Sequence, residues 1–349
     1  MRLKKIAVLF IIIALASSMS VGCTSSNDSG PQDYSNYPEK DIQGTIMWSA
    51  GGVNDTVSRS VGPFAEDELE QTIIFTNRPG AAGGVSTQYV HELPADGYNL
   101  LFGSENPQIA KVMGTSTIDY SDFEPITILA SGIGVVLVNP NSDYKSLEDL
   151  VDDMLSRPGK VKMATTGPGG LPFTLAAMME NVNGIEPQMV VFDGEAEAVT
   201  AIMGEHVDYT IATYGSCAEA IRSGKVKGLA VFHDEEIQEF KEGLGDVPLI
   251  SDVYSDYNKY LPWGPFHGVF VKKGTPQEII DILTDKFTAA ANNEEYINLL
   301  INMGNIPAVM QGEEAREFID NFRSTTSWLM YEVGATEKSP EEFGIERID

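Results

Sequence analysis

From Asp41 onward, short apolar runs bounded by turn residues alternate with segments whose apolar residues recur at helical spacing. That alternation is the signature of an α/β fold. Ile46 to Trp48 reads as a strand, and Val57, Val61 and Phe64 mark the helix after it. Thr72 to Thr76, Val161 to Thr165 and Met189 to Phe192 read as further strands, with Val199, Ile202 and Met203 on a helix behind the last of them. Ser146 with Asp149 forms a capping box before Leu147, Leu150, Val151 and Met154, and Pro158-Gly159 ends that helix. Thr275-Pro276-Gln277-Glu278 reads as a second helix start, with a Thr cap, ahead of Ile279, Ile282, Leu283 and Phe287. A last helix is expected from about Glu314 to Tyr331, followed by a peripheral acidic tail from Glu337.

A length of 349 residues suits two domains. The formal charge of −28, from 23 basic and 51 acidic residues, repels phosphates, so nucleic acid is not an expected partner. Two cysteines, Cys23 and Cys217, exclude a disulfide scaffold and a Cys-rich metal cluster. Arg2, Lys4 and Lys5 precede an apolar run from Ile6 to Ala16 and then small residues up to Cys23. That run is shorter than the roughly 20 residues of a spanning helix and has the layout of a secretory signal. Ser20-Val21-Gly22-Cys23 resembles a bacterial lipoprotein cleavage box, with Ser20 where Leu is usual, so Cys23 is the expected lipidation site. Plain secretion with an incidental cysteine is the alternative. Thr24 to Asn36 is polar and suits a flexible tether.

Three strand-to-helix connections share a chemistry: Gly51-Gly52 with Asn54 and Asp55, Thr165-Thr166-Gly167-Pro168-Gly169-Gly170, and Asp193-Gly194. Glycine lets backbone N–H groups approach a ligand, and a helix N-terminus adds partial positive charge. Such loops bind anions at the carboxyl ends of strands. Asn54 and Asp55 also read as simple N-caps.

The ordered set of motifs resembles the extracytoplasmic substrate-binding proteins of tripartite tricarboxylate transporters. Gly51-Gly52-Val53-Asn54-Asp55 with Arg59 is similar to that family's first loop, and Asn77-Arg78-Pro79-Gly80-Ala81 to its second conserved segment. Ala95-Asp96-Gly97-Tyr98-Asn99-Leu100-Leu101, Phe192-Asp193-Gly194, Gly204-Glu205-His206-Val207-Asp208, Ser223-Gly224-Lys225 and Lys273-Gly274-Thr275-Pro276 continue the series. Departures fall beside the expected pocket: Ser49-Ala50 replaces prolines, Glu195 and Ala196 replace glycines, and Leu171-Pro172-Phe173 lacks a polar residue and a histidine.

The resemblance implies a two-lobed periplasmic-binding-protein fold of the second type, with a ligand cleft between the lobes. Residues 1–22 would be the signal, 23–40 the tether, 41–138 with 265–349 lobe one, and 139–264 lobe two. It implies capture of a small di- or tricarboxylate and delivery to a large and a small membrane subunit, by a lipid-anchored monomer without cofactor or metal. The expected ligand contacts are Ser49, Ala50, Gly51, Gly52, Asn54, Ser104, Thr165, Thr166, Gly169, Gly170, Asp193, Gly194 and Thr213. An acidic amino acid, or an aromatic carboxylate if Phe173 and Tyr214 face the cleft, stays open as ligand, and a membrane sensor stays open as partner.

Catalysis is not expected. His91, His206, His233 and His267 are scattered, and no zinc-protease, nucleophile-elbow or Walker spacing occurs. Cys217 reads as a buried, inert thiol, and His206 as a surface or packing residue. Glu195 and Glu197 do not share a helix face, and Trp48, Phe173 and Tyr214 read first as core aromatics.

Overall fold

The computed structural model describes residues 34–192 and 194–348. The expected signal, Cys23, most of the tether and Asp193 lie outside the described residues. The first section runs β1 (Ile42–Ile46), α1 (Val53–Leu69), β2 (Ile73–Asn77), α2 (Gly84–Glu92), β3 (Asn99–Ser104) and β4 (Phe123–Ser131). The middle section runs β5 (Gly134–Val138), α3 (Leu147–Ser156), β6 (Lys162–Thr165), α4 (Leu171–Asn183), β7 (Gln188–Val191), α5 (Glu195–Met203), β8 (Tyr209–Thr213), α6 (Tyr214–Arg222) and β9 (Lys227–Phe232). The last section holds β10 (Phe266–Lys272), α7 (Gln277–Ala291), α8 (Glu294–Asn302), β11 (Ile306–Met310) and α9 (Gly312–Glu332).

Two sheets result, ordered β11-β4-β10-β3-β1-β2 and β7-β6-β8-β5-β9. They share one plan. Each has three parallel strands (β2-β1-β3 and β7-β6-β8), then an antiparallel strand delivered from elsewhere in the chain (β10 or β5). This is the expected two-lobed α/β architecture. Because strands such as β5 are buried along their whole length, they read as unbroken apolar runs rather than alternating ones. No helix among the described residues is long and apolar enough to cross a membrane.

Several boundaries differ from the sequence reading. The expected lobe one includes β5, but β5 pairs with β8 and β9 of the second sheet. The chain therefore changes sheets at Gly132-Ile133 rather than after Val138. Tether residues 37–40 are packed: the Tyr37 hydroxyl donates to the Gly97 carbonyl (2.6 Å), and Glu39 N–H donates to the Tyr98 hydroxyl (2.9 Å). The tail is packed too, since Ile345 is buried and the Ser324 hydroxyl donates to the Glu346 carbonyl. Trp48 leaves the sheet, because β1 ends at Ile46. The Ser146–Asp149 capping box is present. Thr275 instead spends its hydroxyl on the Lys272 carbonyl, so α7 begins after Pro276. α9 packs against both β4 and α4, which ties the C-terminal segment to both lobes.

The two inter-sheet crossings run side by side. Gly132 N–H donates to the Pro265 carbonyl (2.8 Å), and a Cβ on Gly264 would overlap the Gly132 carbonyl. Gly264→Ala is expected to cost about 1–3 kcal/mol, as overpacking of a close backbone approach does. Urea unfolding measures it; an unchanged midpoint would mean that the crossings part freely.

Candidate functional site

The expected loops all follow carboxyl ends of parallel strands, and the helices they open begin without a side-chain cap. The N-caps are Gly52 for α1, Gly170 for α4, Gly194 for α5 and Thr213 for α6, and none supplies a side-chain hydrogen bond to its first turn. First-turn N–H groups carry partial positive charge and lack intrahelical partners. Contacts bring these helix ends together across the two lobes. The Asn106 side-chain amide donates to the Gly169 carbonyl. A Cβ on Gly215, in the first turn of α6, would lie 3.6 Å from Val53 Cγ2 and 2.7 Å from the Met303 carbonyl. Glu195, at the start of α5, accepts from both the N–H and the hydroxyl of Thr213.

The first loop is clamped from below. Asp55 accepts from Gly51 N–H, from the Asn77 amide and from Arg59 Nε, each at 2.8 Å. Burial acts to raise the Asp55 carboxyl, but Gly51, Asn77 and Arg59 outweigh it and hold the pKa below the usual range. Arg59 also donates to Asn77 Oδ1, and Asn77 donates to the Trp48 carbonyl. Arg78 stacks on Tyr89 at 3.6 Å. Arg59 therefore supports the first loop, whereas Arg78 packs on α2 and its buried Nε has no hydrogen-bond partner.

The glycine donors are placed differently from the sequence reading. Gly51 N–H is taken by Asp55, Gly52 N–H by the Ser49 carbonyl (3.3 Å), and Gly170 N–H by the Gly167 carbonyl (3.2 Å). These bonds close the turns, so the donors left for an anion are those of the helical first turns, such as Val53, Leu171 and Ala196. Neither Asn54 nor Asp55 is an N-cap, because Gly52 holds that place.

Of the other expected contacts, Ser49, Ala50, Gly51 and Gly52 are exposed, whereas Thr165, Gly169 and Gly170 are buried and Thr166 is half-buried. Ser104 is buried and accepts from Trp48 Nε1 (2.8 Å). Tyr214 is buried against Phe240, Phe173 is half-buried, and burial pushes the inert Cys217 thiol upward. A surface depression lined by Glu294, Glu295, Asn298, Leu299 and Asn302 lies on α8, apart from these loops.

Two groups escaped the sequence reading. Glu105, just past β3, is 8% exposed, and burial raises its carboxyl to about 7, with the charge of Glu195 adding to the rise. His267, on β10, is buried, and that burial alone lowers its pKa to about 4. Its Nδ1 lies 3.2 Å from the Asn54 amide nitrogen, which also donates to the Gly103 carbonyl (3.1 Å). No motif announces either residue, since each acquires its character from burial by segments distant in sequence.

These shifts have opposite consequences for stability. The unfolded state protonates His267 near its ordinary 6.5 and the folded state only near 4, so stability rises with pH across that window. Glu105 is raised from about 4.5 to about 7, so its contribution is complete below 4.5 and is lost as pH climbs to 7. Each span corresponds to about 3 kcal/mol. Relative to the native chain, His267→Gln should lose stability as pH rises from 4.5 to 6.5, and Glu105→Gln should gain it. Urea midpoints at several pH values check the pair; parallel profiles for both variants would contradict it.

Comparison with known proteins agrees with this architecture. A model described as the tripartite tricarboxylate transporter family receptor matches residues 57–334. Protein BugT of Bordetella pertussis is 26% identical over 309 residues, covering 87% of this chain and 93% of BugT. The structure of the periplasmic binding protein BugD superposes with a TM-score of 0.75 at 22% identity, over 86% of this chain and 100% of that one. MatC of Rhodopseudomonas palustris with bound malate gives 0.74 at 20% identity, over 85% and 100% respectively.

Proposed function

Because the chain belongs to the receptor family of tripartite tricarboxylate transporters, whose members are binding proteins and not enzymes, we propose that it captures a small carboxylate between its lobes. It works outside the cytoplasmic membrane as a lipid-anchored monomer and passes the ligand to the large and small membrane subunits of such a transporter. The observation that carries this reading is the meeting of four helix N-termini without side-chain caps. Their N–H groups are donors in search of acceptors, and their dipoles favour negative charge. The malate held by MatC, which shares the fold, supports the same ligand class.

Donation from first-turn N–H groups and an arginine clamp make different predictions. Gly52 has an ordinary φ of −75°, and a Cβ there would approach only the Ser49 carbonyl, at 3.4 Å. Gly52→Val should therefore fold normally and weaken carboxylate binding at least about tenfold, or 1.4 kcal/mol, by standing over the α1 N-terminus. Arg59→Lys should stay within that factor, because Arg59 reaches Asp55 and Asn77 rather than the ligand. Isothermal titration with di- and tricarboxylates tests both; loss of binding in Arg59→Lys with tolerance of Gly52→Val would favour the clamp. A bound carboxylate should also raise the melting temperature and reduce the radius of gyration in solution scattering.

Anchoring is tested separately. Cys23→Ser should release the protein from membranes or block its processing. Mature Cys23→Ser protein that remains quantitatively membrane-bound would contradict lipidation at that residue.

A further inference from the structure

We propose that His267 is a positioning residue for anion capture: through Asn54, its imidazole holds the first turn of α1 against the strand that returns from the second lobe. The inference rests on the carboxylate reading above and gives a role to a side chain buried behind the loops.

Asn54 is the second residue of α1, after the Gly52 cap and Val53, and it is 3% exposed. Its amide nitrogen carries two hydrogens. One is donated to the Gly103 carbonyl at 3.1 Å, and the other is available to His267 Nδ1, 3.2 Å away. A carbonyl can only accept, so nitrogen rather than oxygen faces Gly103. The same nitrogen therefore faces the ring, and a hydrogen bond forms only if Nδ1 bears no proton. The imidazole is thereby fixed as the neutral tautomer with its hydrogen on Nε2. Burial, which lowers the pKa of the ring to about 4, favours the same neutral form.

The two acceptors belong to different strands. Gly103 lies on β3, whereas His267 lies on β10, opposite Ser104 of β3 on one side and Ala130 of β4 on the other. β10 follows directly on the crossing at Gly264-Pro265, where the Pro265 carbonyl accepts from Gly132 N–H of the other crossing. His267 thus stands two residues beyond the crossing and one hydrogen bond from the start of α1. Val53, which offers one of the first-turn donors, immediately precedes Asn54, and Asp55, which follows, is held by Gly51, Asn77 and Arg59. The Asp55 side fixes the loop, and the Asn54 side fixes the turn to the crossing. Hydrogen bonds weaken steeply as their angle departs from linear, so a first turn that tilts loses its hold on an anion.

The experiment titrates variants of the intact mature protein calorimetrically with succinate and citrate. His267→Leu removes the acceptor and should weaken binding at least about tenfold. His267→Gln returns an acceptor through its side-chain oxygen and should stay within about threefold of the native protein. Melting temperatures monitor folding of both. Equal affinity of the two variants would overturn the proposal. Imidazole nitrogen resonances of the native protein give a readout that needs no variant: at pH 7 Nδ1 should be unprotonated, and a ring carrying its proton on Nδ1 would overturn the assignment.

A pH profile separates positioning from packing. The residues facing the ring, Asn54 on α1, Ser104 on β3 and Ala130 on β4, are uncharged. Asp55 is turned to Gly51, Asn77 and Arg59, and Glu105, next to Ser104, is raised to about 7 and so is largely neutral below pH 6. Protonation of Nδ1 sets N–H against N–H. Native affinity should therefore fall relative to His267→Gln as pH drops from about 6 to 4, to about half where half of the rings are charged. Protonation of the ligand cancels in that ratio, and a ratio independent of pH would overturn the proposal. If neither succinate nor citrate binds the native protein, the carboxylate reading fails; if one binds and His267→Leu retains it, the positioning role alone fails.

Discussion

Every strand-to-helix connection at the seam faces the same electrostatic constraint: a helix that begins there must satisfy its first N–H groups without help from its own cap residue. Glycine at the start of α1, α4 and α5 makes this unavoidable, since it has no side chain to offer. Thr213 has one, but its hydroxyl is turned to Glu195. The rest of the site can be understood as support for this arrangement. Asp55, Asn77 and Arg59 hold the first loop in place, and Trp48 reaches Ser104 to fix the loop against β3. The crossings at Gly132 and Gly264 keep the two lobes in register.

The net charge of −28 is compatible with anion capture because fields from surface carboxylates are screened within about 8 Å at physiological ionic strength. Backbone dipoles within a few ångströms of a bound anion outweigh that distant field. Arg59 is engaged beneath the first loop by Asp55 and Asn77, and Arg78 stacks on Tyr89.

Much of the fold was legible in the sequence because the strands are short apolar runs and the helices amphipathic, with Ser146–Asp149 marking a helix start by chemistry alone. The glycine-rich loops were legible for the same reason: glycine after a strand and before a helix leaves few alternatives. The membership of β5 was not legible. An apolar run such as Gly134 to Val138 suits either sheet, and only pairing with β8 and β9 decides it. Nor could the sequence show that Gly51, Gly52 and Gly170 spend their own N–H groups on closing turns, because a glycine pair looks the same whether its donors are free or used. Glu105 and His267 owe their chemistry to tertiary burial, which leaves no local pattern.

The central claim is that first-turn backbone amides hold the ligand's carboxylate. The most direct test is an amide-resolved nitrogen–proton correlation spectrum, titrated with a carboxylate that raises the melting temperature. The account predicts large downfield proton shifts confined to amides in the first turns of α1, α4 and α5, among them Val53, Leu171 and Ala196, with the Arg59 and Arg78 side-chain signals unmoved. Shifts concentrated on the guanidinium signals, with the first-turn amides unchanged, would contradict it.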